Sequence, residues 1–203
     1  MLTRRRFLQG TLAASGLAAS SAAFAHPFAT VTPLAGGCLT IQGVVFEPGN
    51  GPSAAFAARA RHRGLKTLGV TDDITPVWAR LVAQWRRAPV AIAGLTSHMP
   101  LLLLEQSGRD HGLRVVFRGE HKPDSDGSFV HTLDGPELML PAFHIAVEQQ
   151  TNFGSCMAHV IGLCPRDTGR SAKVSLRTLA TQENRIDAPL YSWVIAPRPP
   201  FAI

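Results

Sequence analysis

The chain has 203 residues and a formal net charge of +6. This length fits a single domain that buries its own hydrophobic core. The basic residues are scattered rather than gathered into one stripe, which argues against a nucleic-acid-binding protein.

The N-terminal segment begins with positive charge and continues as a moderately apolar run rich in Ala, Gly and Ser. Its most specific feature is an arginine pair followed, after a spacer, by a Phe-Leu pair: Arg4, Arg5, Phe7 and Leu8. The run ends in a small-x-small sequence formed by Ala23 and Ala25, which predicts cleavage after Ala25. A membrane anchor needs about 20 predominantly apolar residues, and this run is too short and too polar.

Residues 1–25 resemble the twin-arginine (Tat) class of signal peptides. Gln9 is a mild departure, because the class often has Lys at that position. The resemblance implies a periplasmic protein that crosses the inner membrane already folded, with the Tat translocase as its partner during export. An ordinary Sec signal or an uncleaved anchor is the alternative interpretation.

Cleavage after Ala25 would leave residues 26–203 as a single domain of 178 residues. Loss of the three signal arginines leaves 17 basic against 14 acidic side chains, a net charge of +3. No second run of 18 apolar residues follows, so we expect no membrane anchor after cleavage.

Short apolar strands alternate with helices from residue 39 onward. The predicted strands cover residues 39–46, 65–70, 90–95 and 113–118, and the predicted helices cover 54–63, 75–87 and 101–111. Ser53 is a possible N-cap of the first helix, and Thr75 with Pro76 suits the start of the second. Gly64 and Gly112 fit the ends of the first and third helices.

This alternation predicts an α/β protein: a single three-layer domain with a mainly parallel sheet, Rossmann-like or flavodoxin-like. The segment 90–95 is apolar without alternation, as in a parallel strand covered on both faces. The C-terminal third is less regular. There the pattern indicates a strand over 129–133, short helices over 142–150 and 155–162, and a last strand over 191–195.

Polar side chains follow each of the four predicted parallel strands. In open α/β sheets, ligands bind beyond the carboxyl ends of the strands, so these loops predict one site. Helix N-termini after the first three strands would favour an anionic ligand there. The predicted ligand-binding residues are Glu47, Asn50, Asp72, Asp73, Thr96, Ser97, His98, Glu120 and His121.

Several of these residues also have simpler interpretations. Asp72 and Asp73 precede a helix and suit a capping role, as do Thr96 and Ser97. The chain lacks the G-x-G-x-x-G and G-x-x-x-x-G-K-[ST] nucleotide motifs and the G-x-S-x-G nucleophile elbow. No motif therefore indicates a cofactor.

The three cysteines are compatible with a disulfide, with buried thiols or with metal ligation. Cys156 and Cys164 are the nearest pair in sequence, and with His159 they form a weak candidate metal site of soft ligands. A second candidate metal site would combine four of the rim residues, Asp72, His98, Glu120 and His121. His26, exposed by cleavage, could also bind copper through its terminal amine and imidazole.

Three functions follow from these patterns. The first is an exported small-molecule-binding or accessory protein that uses the loops at the carboxyl ends of the strands. The alternative is a periplasmic hydrolase, isomerase or lyase in which Asp72, His98 and Glu120 supply acid-base chemistry. The second alternative is a metal-handling or redox protein.

Overall fold

The structure is a computed structural model, and it describes residues 37–149, 152–179 and 188–197. The predicted signal peptide and the residue that follows its cleavage site, His26, lie outside these ranges. Within them, no helix is both long and apolar enough to cross a membrane.

The first half of the chain forms the alternation of strands and helices that the sequence predicts. Its elements are β1 (Ile41–Phe46), α1 (Gly51–His62), β2 (Lys66–Gly69), α2 (Thr75–Arg87), β3 (Ala91–Thr96), α3 (His98–Arg109) and β4 (Leu113–Pro123). Asn50, and not Ser53, caps α1, because its Oδ1 accepts a hydrogen bond of 3.0 Å from the Ser53 N–H. Gly64 follows α1 with a φ of +80°, a left-handed conformation that glycine adopts without strain.

The second half of the chain is more regular than its sequence suggests. Its elements are β5 (Ser128–Pro136), a 3₁₀ turn (Glu137–Met139), α4 (Leu140–Glu148), α5 (Phe153–Gly162), β6 (Ser171–Leu179) and β7 (Leu190–Pro197). The predicted strands and helices of this region are confirmed, and β6 is an additional strand. Its residues alternate strictly between exposed and partly buried, so one face of the strand lies in water.

The strands form one open sheet in the order β2-β1-β3-β7-β4-β5-β6. Only the β1–β2 and β1–β3 pairs are parallel, and the four remaining pairs are antiparallel. The α/β class is therefore confirmed, but the prediction of a mainly parallel sheet is wrong. The reason is that β7 returns from the C-terminal part of the chain and inserts between β3 and β4, while β4, β5 and β6 form an antiparallel meander.

Helices cover the two faces of the sheet unequally. One face packs against α1, α4 and α5 around a core that includes Phe56, Phe143 and Met157. The other face packs against α2 and α3 around Leu81 and Leu104. In the described residues no helix covers this second face over β5 and β6, and side chains there remain in water. The outward-facing residues of β6 are accordingly exposed: Lys173, Ser175, Arg177 and Leu179.

The inserted strand β7 is held against β3 by one large side chain. Trp193 is fully buried, and its ring lies over Gly94, its register partner on β3, where a Cβ atom would collide with the indole. The indole Nε1 donates a 3.1 Å hydrogen bond to Oγ1 of the buried Thr96. A glycine on one strand and a tryptophan on the next therefore form one packing unit at the centre of the sheet.

At Gly154, α5 lies in close contact with the backbone of α1. A Cβ atom at this position would collide with the carbonyl oxygen of Pro52, which belongs to the backbone and cannot rotate away. We therefore expect Gly154→Ala to destabilise the fold by about 2–4 kcal/mol, despite the better helix propensity of Ala. Urea unfolding measures this loss. Gly49→Ala is the control, because nothing lies within 4 Å of its Cβ position, and an equal loss in both variants would contradict the close approach.

Candidate functional site

A polar cleft of about 240 Å³ opens on the part of the sheet that α2 and α3 leave uncovered. We call it the sheet-face cleft. Its side chains come from the first residue of α3 and from four neighbouring strands: His98, Arg118, Glu120, Thr132, Asp134, Lys173 and Tyr191. His98 follows Ser97 at the carboxyl end of β3, so the cleft adjoins one of the four strand ends from which a site was predicted, and His98 and Glu120 are the predicted residues that line it.

Strand register explains why these side chains meet. Along β4, β5 and β6 every second residue points to the uncovered face. Arg118 on β4 lies opposite Asp134 on β5, which in turn lies opposite Lys173 on β6. Two residues further along β4, Glu120 lies between Thr132 of β5 and Tyr191 of β7. The cleft is thus built from two adjacent rows of cross-strand neighbours.

Glu120 is the most strongly bonded residue of the cleft. Tyr191 donates a 2.6 Å hydrogen bond to its Oε1, and Nζ of Lys122 lies 2.7 Å from the same oxygen. Partial burial raises the pKa of Glu120, but the hydrogen bonds from Lys122 and Tyr191, the positive charge of Lys122 and the electrostatic effect of the neighbouring His98 outweigh it and hold the pKa below its ordinary value. Glu120 is therefore an ionised, firmly placed acceptor.

The pKa of Tyr191 is shifted in the opposite direction. Burial, the hydrogen bond to Glu120 and the negative charge of that carboxylate together raise the pKa of Tyr191 to about 12, although the charge of Arg118 opposes this. The imidazole of His98 lies 5.2 Å from the tyrosine ring, between centroids. Tyr191 thus remains a neutral hydroxyl that holds Glu120 on one side and contacts His98 on the other.

From β1 the chain adds β2 on one side and then β3 on the other, so a ligand-binding crevice would be expected between β1 and β3. Protein side chains fill this position. The N–H and Oγ of Ser97 donate hydrogen bonds of 3.0 and 2.6 Å to the two carboxylate oxygens of Glu47. This carboxylate occupies the position at the N-terminus of α3 that an anionic ligand would otherwise take. Ser53 extends the arrangement, because its Oγ accepts from the Glu47 N–H and donates to the Leu95 carbonyl.

The structure does not bring all the predicted site residues together. Asp72 and Asp73 are exposed after β2, and Oδ1 of Asp73 accepts a 2.8 Å hydrogen bond from the Thr75 N–H at the start of α2. That bonding to Thr75 lowers the pKa of Asp73. Thr96 is buried and bonded to Trp193.

The strand β4 is longer than predicted, and this changes the environment of two candidate residues. The predicted strand ends at residue 118 and leaves Glu120 and His121 in a loop, whereas β4 continues to Pro123. That prediction is wrong, because the hairpin to β5 extends the pairing. Consecutive strand residues point to opposite faces, so Glu120 faces the cleft and His121 faces the core.

His121 takes part in a buried hydrogen-bonded chain under α4 and α5. Its Nδ1 lies 2.9 Å from Nδ1 of His131, and its Nε2 lies 2.8 Å from Oγ of Ser192. Nε2 of His131 lies 2.9 Å from Oγ1 of Thr178. One imidazole donates through its Nδ1 and the other accepts, so two neutral rings satisfy every nitrogen. Phe153 packs edge-on against His121 and at a tilt against His131, and completes the dry environment.

Burial keeps this histidine pair neutral. Burial and the neighbouring His131 lower the pKa of His121 well below its ordinary value, and burial lowers the pKa of His131 to about 4. At most 3% of either residue is exposed. The pair therefore belongs to the core network that joins β7, β4, β5 and β6, away from the sheet-face cleft.

The three cysteines are free thiols in the structure, with Cys156 and Cys164 buried and Cys38 exposed. Burial raises the pKa of Cys156, and burial together with Cys38 raises the pKa of Cys164 to about 12. Because metals bind the thiolate, this environment does not favour ligation by Cys156, His159 and Cys164. Among the described residues, no group of three or more His, Cys, Asp or Glu side chains is arranged to hold a metal ion.

Sequence reasoning missed five of the seven residues that line the cleft: Arg118, Thr132, Asp134, Lys173 and Tyr191. The available signal was the alternation of polar with apolar or small residues in segments 117–120 and 132–135, which is typical of strands with one wet face. Their convergence required the strand order, which places β7 beside β4.

Comparison with models of protein families, with characterised proteins and with solved structures gives no match to this chain. Its fold and site define it as an α/β protein with an open mixed sheet and a polar cleft on one half of a sheet face. The function must therefore be argued from the geometry of that cleft.

The buried histidine pair predicts loss of stability in acid. The folded-state pKa values lie below about 6.5, the value in an unfolded chain, so the unfolded state binds more protons as the pH falls. The contribution of the pair to the free energy of unfolding is complete above about pH 6.5 and declines toward pH 4. At pH 4, His131 alone accounts for a loss of about 3 kcal/mol of this free energy. Urea unfolding at a series of pH values measures the slope.

The matched variants are His131→Gln and His144→Gln. His131→Gln removes a buried titrating ring and should flatten the dependence of unfolding free energy on pH, whatever its effect at neutral pH. His144 is exposed on α4, and its replacement should leave the slope close to that of the unmodified protein. Equal slopes in all three proteins would contradict the assignment of acid sensitivity to the buried pair.

Proposed function

We propose that this protein is exported to the periplasm and binds a small polar molecule in the sheet-face cleft. The observation that carries the proposal is the bonded pair Glu120 and Tyr191, held beside His98 at the edge of an open cavity of about 240 Å³. Binding sites hold a few polar groups in fixed positions, and this pair is fixed by its own hydrogen bonds.

The charges of the cleft indicate the class of ligand. Arg118 and Lys173 offer positive charge, while Glu120 and Asp134 offer carboxylate acceptors on the same surface. A molecule that carries one acidic group together with hydroxyl or ammonium donors would match both kinds of group. Small hydroxy acids and amino acids belong to this class.

Binding fits the electrostatics of the cleft better than acid-base catalysis. A general base works best with a pKa near the operating pH, whereas the pKa of Glu120 is held below its ordinary value. The pKa of Tyr191 is raised and its hydroxyl is already hydrogen-bonded to Glu120, so it is a poor acid near neutral pH. Asp72, the third residue of the predicted catalytic set, does not line the cleft.

Export supports the same proposal from an independent direction. The twin-arginine resemblance of residues 1–25 implies that the domain folds before it crosses the membrane. A cleft assembled from α3, β4, β5, β6 and β7 exists only in the folded chain. Fusion of residues 1–36 to a reporter that requires folded export tests this part, and export that survives Arg4→Lys with Arg5→Lys would contradict it.

Substitution of a cleft cation tests the binding proposal. Native mass spectrometry of the folded protein with a panel of hydroxy acids and amino acids identifies a bound member, and calorimetry then gives its affinity. We expect Lys173→Gln to weaken that binding about tenfold, because a charge-assisted hydrogen bond contributes about 1.5–3 kcal/mol.

Lys66→Gln is the matched control, because Lys66 is also an exposed strand lysine but lies on β2 at the opposite edge of the sheet. It should bind the selected compound as the unmodified protein does. Binding that is unaffected by Lys173→Gln, or weakened equally by both substitutions, would contradict a ligand site in the sheet-face cleft.

A further inference from the structure

A second cavity lies where the pairing of β4 with β5 ends. The two strands pair from Arg118 opposite Asp134 as far as Pro123 opposite Phe129. Before Arg118, β4 has an irregularity between Val115 and Phe117, and the end of β5 pairs only with β6. Beside this end of the ladder lies a cavity of about 270 Å³, which we call the strand-split cavity. Its charged and hydroxyl-bearing lining residues are Glu105, Arg114, Arg118, Asp134, Thr168 and Ser171.

Two guanidinium nitrogens at this cavity lack hydrogen-bond partners. Among the described residues, the buried side-chain nitrogen and oxygen atoms without a partner are Nε of Arg114 and Nε of Arg118. An unsatisfied buried donor costs about 1–3 kcal/mol, and native proteins rarely retain one. Both donors occur in side chains that line the same cavity, which indicates a missing acceptor there.

Glu105 and Asp134 equal the two arginines in number among the lining residues, but in the described part of the chain Arg114 is ion-paired with neither carboxylate. Arg118 forms an ion pair with Glu105, and Glu105 also binds Arg109 at 2.6 Å. One carboxylate therefore serves two arginines. Arg114 makes a long 3.4 Å contact to the hydroxyl of Thr168 and, within the described residues, has no carboxylate at ion-pair distance.

We propose that the strand-split cavity binds a small oxyanion, a carboxylate or phosphate group, between Arg114 and Arg118. The planar guanidinium presents Nε–H and an Nη–H as a fork that matches two oxygens of such a group. Binding in this way requires each side chain to turn its Nε–H edge, which is buried in this structure, toward the cavity. Bound oxygens then supply the acceptors that both Nε atoms lack and balance the charge on Arg114.

This site is distinct from the sheet-face cleft, although Arg118 and Asp134 contribute to both walls. Arg114 lines only the strand-split cavity, and Lys173 lines only the cleft. The two proposals rest on different observations, and one can fail without the other. Arg114 and Lys173 are therefore the residues that separate them experimentally.

Calorimetric titration of the whole folded protein with inorganic phosphate, and separately with acetate, tests the proposal at constant ionic strength set with chloride. We expect saturable binding with a Kd of about 1 mM or tighter for at least one of the two probes. Saturation by phosphate alone would assign a phosphate group to the site, and saturation by acetate would assign a carboxylate. Absence of saturation with both probes would overturn the proposal.

Variants locate the bound anion. Arg114→Gln should weaken binding at least tenfold, and Arg114→Lys should recover only part of the loss because lysine lacks the planar fork. Arg80→Gln, which replaces an exposed arginine of α2 that lines neither cavity, should leave binding unchanged. Unaltered circular dichroism shows that Arg114→Gln has folded. Equal weakening by Arg80→Gln, or no weakening by Arg114→Gln, would overturn the assignment.

Discussion

The contact between Trp193 on β7 and Gly94 on β3 is the constraint on which the sheet depends. The indole covers the glycine backbone and donates to Thr96, so β3 accepts β7 as its neighbour in place of β4. The α3 crossover must then reach over β7 before β4 can join the sheet. This single insertion converts the parallel unit of β1, β2 and β3 into a mixed seven-stranded sheet.

The same insertion creates the candidate site. With β4, β5 and β6 displaced outward, α2 and α3 cover only the first half of their sheet face, and the remainder keeps a polar surface in water. The start of β7 brings Tyr191 to Glu120 of β4 and to His98 of α3. The opposite side of the same strands carries the dry chain from Ser192 through His121 and His131. Alternation along the strands separates a wet functional face from a buried structural one.

Local sequence signals were sufficient to predict the helices and strands of the first half of the chain. They were insufficient to predict the order in which the strands join the sheet. Gly64, Gly112 and the Thr75–Pro76 pair placed helix boundaries to within about two residues, because caps and turns depend on nearby residues. The N-cap of α2 is Ile74 and not Thr75, and α3 ends at Arg109, before the predicted His111. The position of β7 depends on the long-range fit of Trp193 to Gly94, which no local pattern encodes. The candidate site was likewise predicted only in part from local sequence. The carboxyl-end rule located His98, whereas Tyr191 and Lys173 required the strand order, and Glu120 was identified but assigned to a loop.

At the sheet-face cleft, β7 places Tyr191 against the ionised Glu120, and the pKa of this tyrosine reports directly on that contact. Tyr191 is the single tyrosine of the chain, so a pH titration of tyrosinate absorbance reports on it alone. We expect a midpoint at about pH 12 in the folded protein, with the fold monitored by circular dichroism, and a lower midpoint in Glu120→Gln. A midpoint near 10, the ordinary value for an exposed tyrosine, in both proteins would contradict this expectation.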